Sequence, residues 1–234
     1  MVHIIIAEWG HYRLWRHKSL HLFHFECGLG PLLSNINRFD PGHPIRITLV
    51  INDISEHTQY EYLKTKYPSI DTILYRSNIG LDFGAYNTGL HYLRQNNYDG
   101  PIIFLNTGVI GPTRAEWLTD YLAFFNERPK TGLVGLSVYN KKKFPIHIQS
   151  YFLMSTMAIL NHVFPTILPG AQLTKKEDVI TNGEIEFSQS IINKGYHLRC
   201  IHFPQFTYGS ETVNPFPKID SRFYLNTMHK SYRI

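Results

Sequence analysis

Four short segments of the sequence carry side chains of the types, and at the spacings, that could do chemistry. The first is "NIGLDFGAYNTGL" at residues 78–90. Its polar or small members are Asn78, Gly80, Asp82, Asn87 and Gly89. Asp82 fits two interpretations equally well, a cap for the helix that follows or a carboxylate that contacts a ligand. Asn87 and Gly89 inside the helical pattern favour a polar role or close backbone packing, since Gly costs up to about 1 kcal/mol relative to Ala there.

The second segment, "IIFLNTGVIGP" at residues 102–112, ends an apolar run with Asn106, Thr107 and Gly108. All three are turn residues, so an ordinary turn explains them without any function. The functional interpretation is a short loop in which Asn106 and the backbone at Gly108 lie against the phosphates of a ligand.

The third segment, "IHIQS" at residues 146–150, puts His147 and Gln149 on one side of a predicted strand together with Tyr151, because side chains alternate along a strand. Hydrogen bonds from His147 and Gln149 to a polyhydroxyl ligand are one interpretation. The other is a satisfied core or surface histidine, since the chain has 13 and none has the spacing of a metal motif.

The fourth segment, "NGEIEFSQS" at residues 182–190, combines two carboxylates with a predicted helix start. Asn182 is a credible N-cap, and Glu184 and Glu186 suit a first helical turn. A carboxylate held beside a cleft can also act as a general base toward a hydroxyl group. The sequence by itself leaves both interpretations open.

Composition limits the classes of function. The 234 residues are 43% hydrophobic and 18% charged, as in a soluble globular protein, and we expect one domain over residues 1–234. The net charge of +5 favours an anionic partner, but the longest basic run is Lys141–Lys143, which argues against nucleic acid. The apolar N-terminal run is too short for a signal peptide or a membrane span. We therefore expect a cytoplasmic protein whose membrane contact, if any, is peripheral.

Alternating apolar runs and helical patterns predict the elements that must position these segments. Predicted strands are 3–7, 44–53, 71–78, 100–106, 132–139, 146–156 and 197–203, and predicted helices are 19–37, 56–67, 83–96, 114–128 and 183–196. Residues 203–234 are predicted to be an irregular covering segment. Strands that are apolar throughout and separated by single helices predict an open, mainly parallel α/β sheet with helices on both faces, with an antiparallel element in the last third. Ligands of such sheets lie at the carboxyl ends of the strands, where the first two segments are expected.

Taken in order, the four segments resemble rhamnan-synthesis-F-like glycosyltransferases and the wider family 2 type of GT-A glycosyltransferase. The resemblance covers about residues 45–203. It implies a GT-A-like, Rossmann-like fold and a nucleotide-sugar donor. In that type an "N-x-G…A-x-N-x-G" segment comes first and a later acid precedes a helix that ends in Gly-Tyr. The positions that match are Asn78, Gly80, Ala85, Asn87, Gly89, Glu184, Gly195 and Tyr196, with Glu186 on a following acidic position.

The sequence departs from the wider type where D-x-D would anchor a divalent cation, because residues 106–108 are Asn-Thr-Gly. Mn²⁺ and Mg²⁺ prefer anionic oxygen ligands, so a tightly held metal is in doubt, and Asp82 and Asn106 are the weak candidates for ligands.

The resemblance implies an inverting transfer to a hydroxyl of a glycan or other acceptor, in surface polysaccharide or glycoconjugate synthesis. Glu184 would be the base. Asn78, Gly80, Asp82, Asn87, Asn106 and Gly108 would bind the donor, and His147, Gln149 and Glu186 would contact the donor sugar or the acceptor. A catalytically inactive domain that binds a nucleotide sugar or glycan is the alternative, which the missing D-x-D favours.

Overall fold

A computed structural model describes residues 1–20, 23–53, 58–139, 144–205, 207–209 and 229–230. Its strands are β1 Val2–Trp9, β2 Arg16–Leu20, β3 Phe23–Cys27, β4 Ile45–Asn52, β5 Ile70–Arg76, β6 Pro101–Asn106, β7 Val109–Ile110, β8 Thr131–Gly135, β9 Val138–Tyr139, β10 His147–Ile148, β11 Phe152–Thr156, β12 His197–Cys200, β13 Thr207–Tyr208 and β14 His229–Lys230. Its helices are α1 Leu29–Arg38, α2 Thr58–Lys66, α3 Leu81–Gln95, α4 Trp117–Asn126, α5 Met157–Val163, α6 Lys176–Val179, a π-helical segment Ile180–Ile185, and α7 Glu186–Asn193.

Within the described residues, eight strands form the central sheet in the order β13-β12-β8-β11-β6-β1-β4-β5. The pairs β6-β1, β1-β4, β4-β5 and β12-β8 are parallel, whereas β11 runs antiparallel to both of its neighbours. β1 is buried over nearly its whole length because apolar side chains leave it on both faces. This confirms the predicted open, mainly parallel α/β sheet with an antiparallel element late in the chain.

Helices cover both faces of this sheet. Side chains of α1, α2 and α4 pack with one set of strand residues, and side chains of α3, α5 and α7 pack with the other. Because each face has its own apolar core, the strands are held in place from both sides and their ends are fixed relative to one another. No helix among the described residues combines the length and the apolar character needed to cross a lipid bilayer.

The first of three predicted elements that differ in the structure is the helix at residues 19–37, where local geometry overrides the apolar pattern. Residues 19–37 were expected to be one helix, but β2 and β3 pair as an antiparallel hairpin and only the later part forms α1. Gly28 separates the two at φ 111°, where an added Cβ would lie 2.8 Å from the carbonyl oxygen of Leu14. A helix cannot run through a residue in that conformation.

The predicted strands 132–139 and 146–156 each break into two in the structure. β8 and β11 belong to the central sheet, whereas the short strands β9 and β10 turn away and pair with each other. The alternation assumed for His147, Gln149 and Tyr151 therefore stops at Ile148, where β10 ends. Tyr151 lies in the core on one face of the sheet and Ile148 in the core on the other.

The expected irregular segment 203–234 contains β-structure where it is described. β13 extends the sheet beside β12, and β14 pairs with β7 next to the Asn106 loop. Residues 206, 210–228 and 231–234 lie outside the described part of the chain.

Candidate functional site

The strand order reverses at β1, and polar residues meet there. The chain proceeds from β1 to β4 and β5 on one side of β1, then returns to its other side as β6. The carboxyl ends of these strands carry Glu8, Asn52 and Asn106. Such a reversal leaves a crevice above the strand ends, which is where ligands bind in open α/β sheets.

Asp82 and Asn106 meet directly at this crevice. The Nδ2 of Asn106 donates a hydrogen bond of 2.6 Å to Oδ2 of Asp82, and the Oδ1 of Asn106 accepts one of 2.9 Å from the backbone N–H of Gly108. Both ends of the Asn106 amide are thus engaged. Asn106 shapes the loop at 106–108 and holds Asp82 in place, which joins the first two sequence segments in one structural unit.

The capping interpretation of Asp82 is wrong. With Asp82 as the N-cap the helix would begin at residue 83, but it begins two residues earlier, at Leu81, and its N-cap is Gly80 in the left-handed conformation at φ 77°. No side chain caps this end of α3. Asp82 still lies in the first helical turn, where the helix dipole favours a negative charge.

Glu8 is a site residue that the sequence analysis did not identify. It is only 2% exposed, and burial raises the pKa of its carboxyl to about 7, with the nearby charge of Asp82 adding to the rise and that of Arg16 opposing it. Its Oε1 accepts a hydrogen bond of 3.1 Å from the backbone N–H of Trp9, and its Oε2 is buried without a hydrogen-bond partner. The signal in the sequence that could have identified Glu8 is an acidic residue at the carboxyl end of the first apolar strand.

Arg16 supplies positive charge next to this group of acids. Its guanidinium lies 4.1 Å from the centre of the Tyr12 ring and donates to both the carbonyl oxygen and the hydroxyl of Thr107, at 3.2 and 2.8 Å. The hairpin of β2 and β3, which was not predicted, is what brings Arg16 to the Asn106 loop. A cation held at the edge of the crevice favours an anionic ligand.

Gly80, Asn87 and Gly89 make close contacts within the protein. An added Cβ at Gly80 would lie 2.2 Å from the carbonyl oxygen of Ala171, and one at Gly89 would lie 2.5 Å from Ile5 on β1. The Oδ1 of Asn87 accepts a hydrogen bond of 2.9 Å from the backbone N–H of Leu168. These contacts show why the helix carries Gly and Asn. Donor contacts of Gly80, Asn87 and the half-buried Asn78 stay predictions.

Glu184 lies inside a helix rather than at its start. α6, the π-helical segment and α7 run on from one another, so the prediction that Asn182 is an N-cap is wrong. The widened turn admits Gly183 against Gly170 and the ring of Phe83. π-helical turns inside helices occur frequently at functional sites.

The carboxylate of Glu184 points to the loop between β10 and β11. Its Oε1 accepts a short hydrogen bond from the backbone N–H of Ser150, and its Oε2 lies 3.9 Å from Nε2 of His147. The Glu184 side chain is 12% exposed, whereas that of His147 is 4% exposed. Glu184 can therefore meet a ligand at its open edge, and His147 lies behind it.

The remaining predicted residues are spread around this group. The Oε1 of Gln149 accepts a hydrogen bond of 2.8 Å from the hydroxyl of Ser137. Glu186 is exposed and accepts one of 3.0 Å from the hydroxyl of Ser190, one turn further along the helix. Two residues apart on a helix, Glu184 and Glu186 face different directions. The structure does not bring Glu186 to the carboxylate of Glu184.

Tyr86 connects the two halves of the site. It is fully buried on α3, one turn after Asp82, and its hydroxyl donates a hydrogen bond of 2.8 Å to the carbonyl oxygen of Ser150. Burial, together with the charges of Asp82 and Glu184, raises the pKa of its phenol well above the ordinary value. Because the Ser150 N–H donates to Glu184, Tyr86 connects the first turn of α3, which carries Asp82, with the segment that carries Glu184.

The described residues contain no group of three or more His, Cys, Asp and Glu side chains arranged to hold a metal ion. Of the two predicted ligands, Asn106 already uses its amide oxygen for Gly108. The carboxylate of Asp82 and the unpartnered Oε2 of Glu8 are the anionic oxygens at the crevice.

Comparison with known proteins gives matches at three levels. The model of the family described as rhamnan synthesis protein F matches residues 47–222. An uncharacterized protein of Sinorhizobium fredii, y4gN, is 28% identical over 140 residues, which are 57% of this chain and 35% of that relative. Two crystal structures of S. aureus TarS are similar in fold. The first has a TM-score of 0.52 and 12% sequence identity, and the match covers 81% of this chain and 33% of TarS. The second, TarS 1–349, has a TM-score of 0.51 and 13% sequence identity, and the match covers 77% of this chain and 53% of that one. The fold is GT-A-like, and the chain spans about a third of the length of the first relative and of TarS.

Proposed function

Because the chain belongs to the rhamnan synthesis protein F family, we propose that it is a nucleotide-sugar-dependent glycosyltransferase. The observation that carries the proposal is the set of contacts that connects two acids through Tyr86. Asp82 lies one turn before Tyr86 on α3 and accepts a hydrogen bond from Asn106 at the strand-order reversal. The Tyr86 hydroxyl donates to the carbonyl oxygen of Ser150, whose N–H donates to Glu184. A transferase needs this division, since a donor and an acceptor must lie side by side at the reacting carbon.

In this proposal the donor lies over the carboxyl ends of β1 and β6. Asp82 and Asn78 contact the nucleoside, and the loop of Asn106 and Gly108 lies under the diphosphate. Arg16, fixed on Thr107 at the same loop, is the cation near the phosphates. The backbone approach at Gly108 and the positive charge of Arg16 suit a diphosphate better than a neutral ligand.

A divalent cation fits this arrangement only as a partner of the donor. Asp82 and the unpartnered Glu8 oxygen would hold Mn²⁺ or Mg²⁺ from the protein side. Phosphate oxygens of the donor and water would supply the remaining ligands, which suits the preference of these ions for anionic oxygen. When bound, such an ion neutralises the charge that develops on the departing nucleoside diphosphate.

The acceptor half contains Glu184. Its carboxylate is oriented by the Ser150 N–H and open at one edge, as a general base must be. We propose an inverting transfer in which Glu184 takes the proton of an acceptor hydroxyl. That oxygen bonds to the anomeric carbon while the nucleoside diphosphate leaves with the electron pair. The family supports a glycan acceptor in surface polysaccharide synthesis.

The first test is Glu184→Gln, assayed for sugar transfer after a thermal-shift screen of UDP-, GDP- and dTDP-sugars, with and without Mn²⁺, has identified the donor. Gln keeps the size of the side chain but cannot accept the proton, so kcat is expected to fall by about 10²- to 10⁴-fold with donor affinity kept. Glu177→Gln, an exposed change on the same helical run, is the matched control and is expected to keep full activity.

Full transfer by a normally folded Glu184→Gln protein would disprove the base assignment. The second candidate function is a binding module without catalysis, which the Asn-Thr-Gly sequence at 106–108 favours. Stabilisation by a nucleotide sugar together with no transfer to any acceptor, and no hydrolysis of the donor, would support that module instead.

A further inference from the structure

His147 has a fixed tautomer. Its Nδ1 lies 2.8 Å from the backbone carbonyl oxygen of Pro145, and a carbonyl oxygen only accepts hydrogen bonds. The proton of a neutral His147 ring must therefore be on Nδ1. The ring is held in this orientation by stacking on Tyr139, with 5.0 Å between ring centres and 17° between the planes. Nε2 consequently presents a lone pair.

That lone pair faces an acceptor. Oε2 of Glu184 lies 3.9 Å from Nε2 of His147, which is about 1 Å longer than a charged hydrogen bond between these atom types. Two hydrogen-bond acceptors therefore face each other, and a small approach of the two side chains lets them share one proton. Solvent does not compete with Glu184 for the Nε2 atom, since the His147 side chain is nearly completely buried.

We propose that Glu184 and His147 form a pair that takes up one proton, with His147 as the positioning residue that receives it from Glu184. The inference rests on the proposed function. During transfer the acceptor O–H bond breaks, its oxygen bonds to the anomeric carbon, and the bond from that carbon to the diphosphate breaks. The proton passes through the Glu184 carboxylate to Nε2 of His147, so the pair ends as carboxylate and imidazolium. Its net charge changes from −1 to zero, while the leaving group departs with the electron pair of the broken bond.

The surroundings fit a pair that changes its charge by one proton. Among the described residues, the titratable groups that the structure places beside it are Tyr139, stacked on His147, and Tyr86, whose hydroxyl donates to the carbonyl oxygen of Ser150. Burial, with the charges of Asp82 and Glu184 adding to it, raises the pKa of the Tyr86 phenol well above its ordinary value, so Tyr86 stays neutral. The aromatic face of Tyr139 favours a cationic ring above it.

The kinetic test is His147→Gln. Its amide can still donate a hydrogen bond to Glu184, but it cannot take up a proton. We expect kcat to fall by about 10- to 100-fold with the KM for the donor unchanged, and the pH profile of kcat to change, because the proton then has no second group that can take it up. His162→Gln, an exposed change on α5, is the matched control. His147→Asn, which keeps the donor to Pro145, serves as a second variant if the first does not fold.

An unchanged kcat and an unchanged pH profile in a folded His147→Gln protein would overturn the inference. If the wild-type protein transfers no sugar at all, the proposed function fails, and ring ¹⁵N NMR of His147 decides the pair separately. We then expect the neutral ring of the wild-type protein to be in the Nδ1–H tautomer. An Nε2–H tautomer would overturn the inference.

Discussion

At the scale of single residues, Glu8 stands out as a buried acid. Buried carboxylic acids are rare unless they are paired, and the described residues offer Oε2 of Glu8 no hydrogen-bond partner. Asp82, by contrast, is held by Asn106. This difference indicates that Glu8 carries a cost in stability for the sake of the site.

The pH dependence of stability should reveal that cost. With its pKa raised from 4.5 to about 7, Glu8 in the folded protein keeps a proton that the unfolded chain releases. As the pH rises from 4.5 to about 7, the free energy of unfolding therefore loses the contribution of this group, which is about 3 kcal/mol in total. Glu8→Gln is neutral at every pH and should remove this loss.

Urea unfolding of wild type and Glu8→Gln at pH 4, 5.5 and 8, in buffer with a chelator, measures the effect. The variant should gain stability relative to wild type as the pH rises. Parallel stability curves for the two proteins would show that Glu8 titrates as it does in the unfolded chain.

At the scale of elements, α3 is adapted to lie close to the strand that carries Glu8. Gly89 faces Ile5 of β1, and an added Cβ would lie 2.5 Å from the side chain of Ile5. The close approach of helix and strand places Asp82, at the first turn, above the ends of β1 and β6. The helix thus sets the height of the carboxylate over the crevice.

Gly89→Ala tests this packing. Helix propensity alone would stabilise the variant by about 1 kcal/mol, whereas overpacking against β1 costs about 1–3 kcal/mol, and we expect the overpacking to prevail. Thermal unfolding of Gly89→Ala, Ile5→Ala and the double variant measures the coupling. In the double variant the space left by Ile5 should relieve the clash, and simple additivity of the two changes would contradict the close contact.

The last helical run shows a second adaptation. Its carboxyl end follows the sequence pattern, since Gly195 is left-handed at φ 82°. The N–H of Gly195 donates to the carbonyl oxygen of Ile192, and the N–H of Tyr196 donates to the carbonyl oxygen of Ile191. Its middle does not follow the pattern, because the π-helical turn holds Glu184 against Ser150.

At the scale of the whole molecule, Tyr86 links the two halves of the sheet. Its hydroxyl joins α3, which belongs to the parallel part, to Ser150 in the loop before the antiparallel strand β11. The same residue, Ser150, orients Glu184 through its N–H. The position of Glu184, the proposed base, therefore depends on a contact that spans the two halves.

Tyr86→Phe should separate positioning from binding. Removal of one buried hydroxyl leaves the Ser150 carbonyl without this partner and is expected to cost about 1–3 kcal/mol of stability. We expect kcat of the transfer reaction to fall with donor affinity nearly unchanged, since the proposed donor site lies on the other half. Steady-state kinetics with calorimetry of donor binding measures this. If donor affinity fell and kcat did not, the Tyr86–Ser150 contact would serve donor binding and not the positioning of Glu184.

The sequence by itself determined the class of fold, because strands such as β1, β4 and β6 are apolar throughout and only a sheet covered on both faces can bury them. It also determined that Asp82 and Asn106 follow strand ends, and that Gly195 ends a helix. These are local properties, expressed in short runs of residues.

The tertiary structure alone decided which of these residues meet. The sequence could not show that the Asn106 amide binds Asp82, that the β2–β3 hairpin brings in Arg16, or that Glu8 is buried beside both. Nor could it show the π-helical turn that places Glu184 against Ser150 and His147. Each of these contacts joins residues far apart in the chain, and their distances are set by how helices pack on a twisted sheet, which no local pattern of residues encodes.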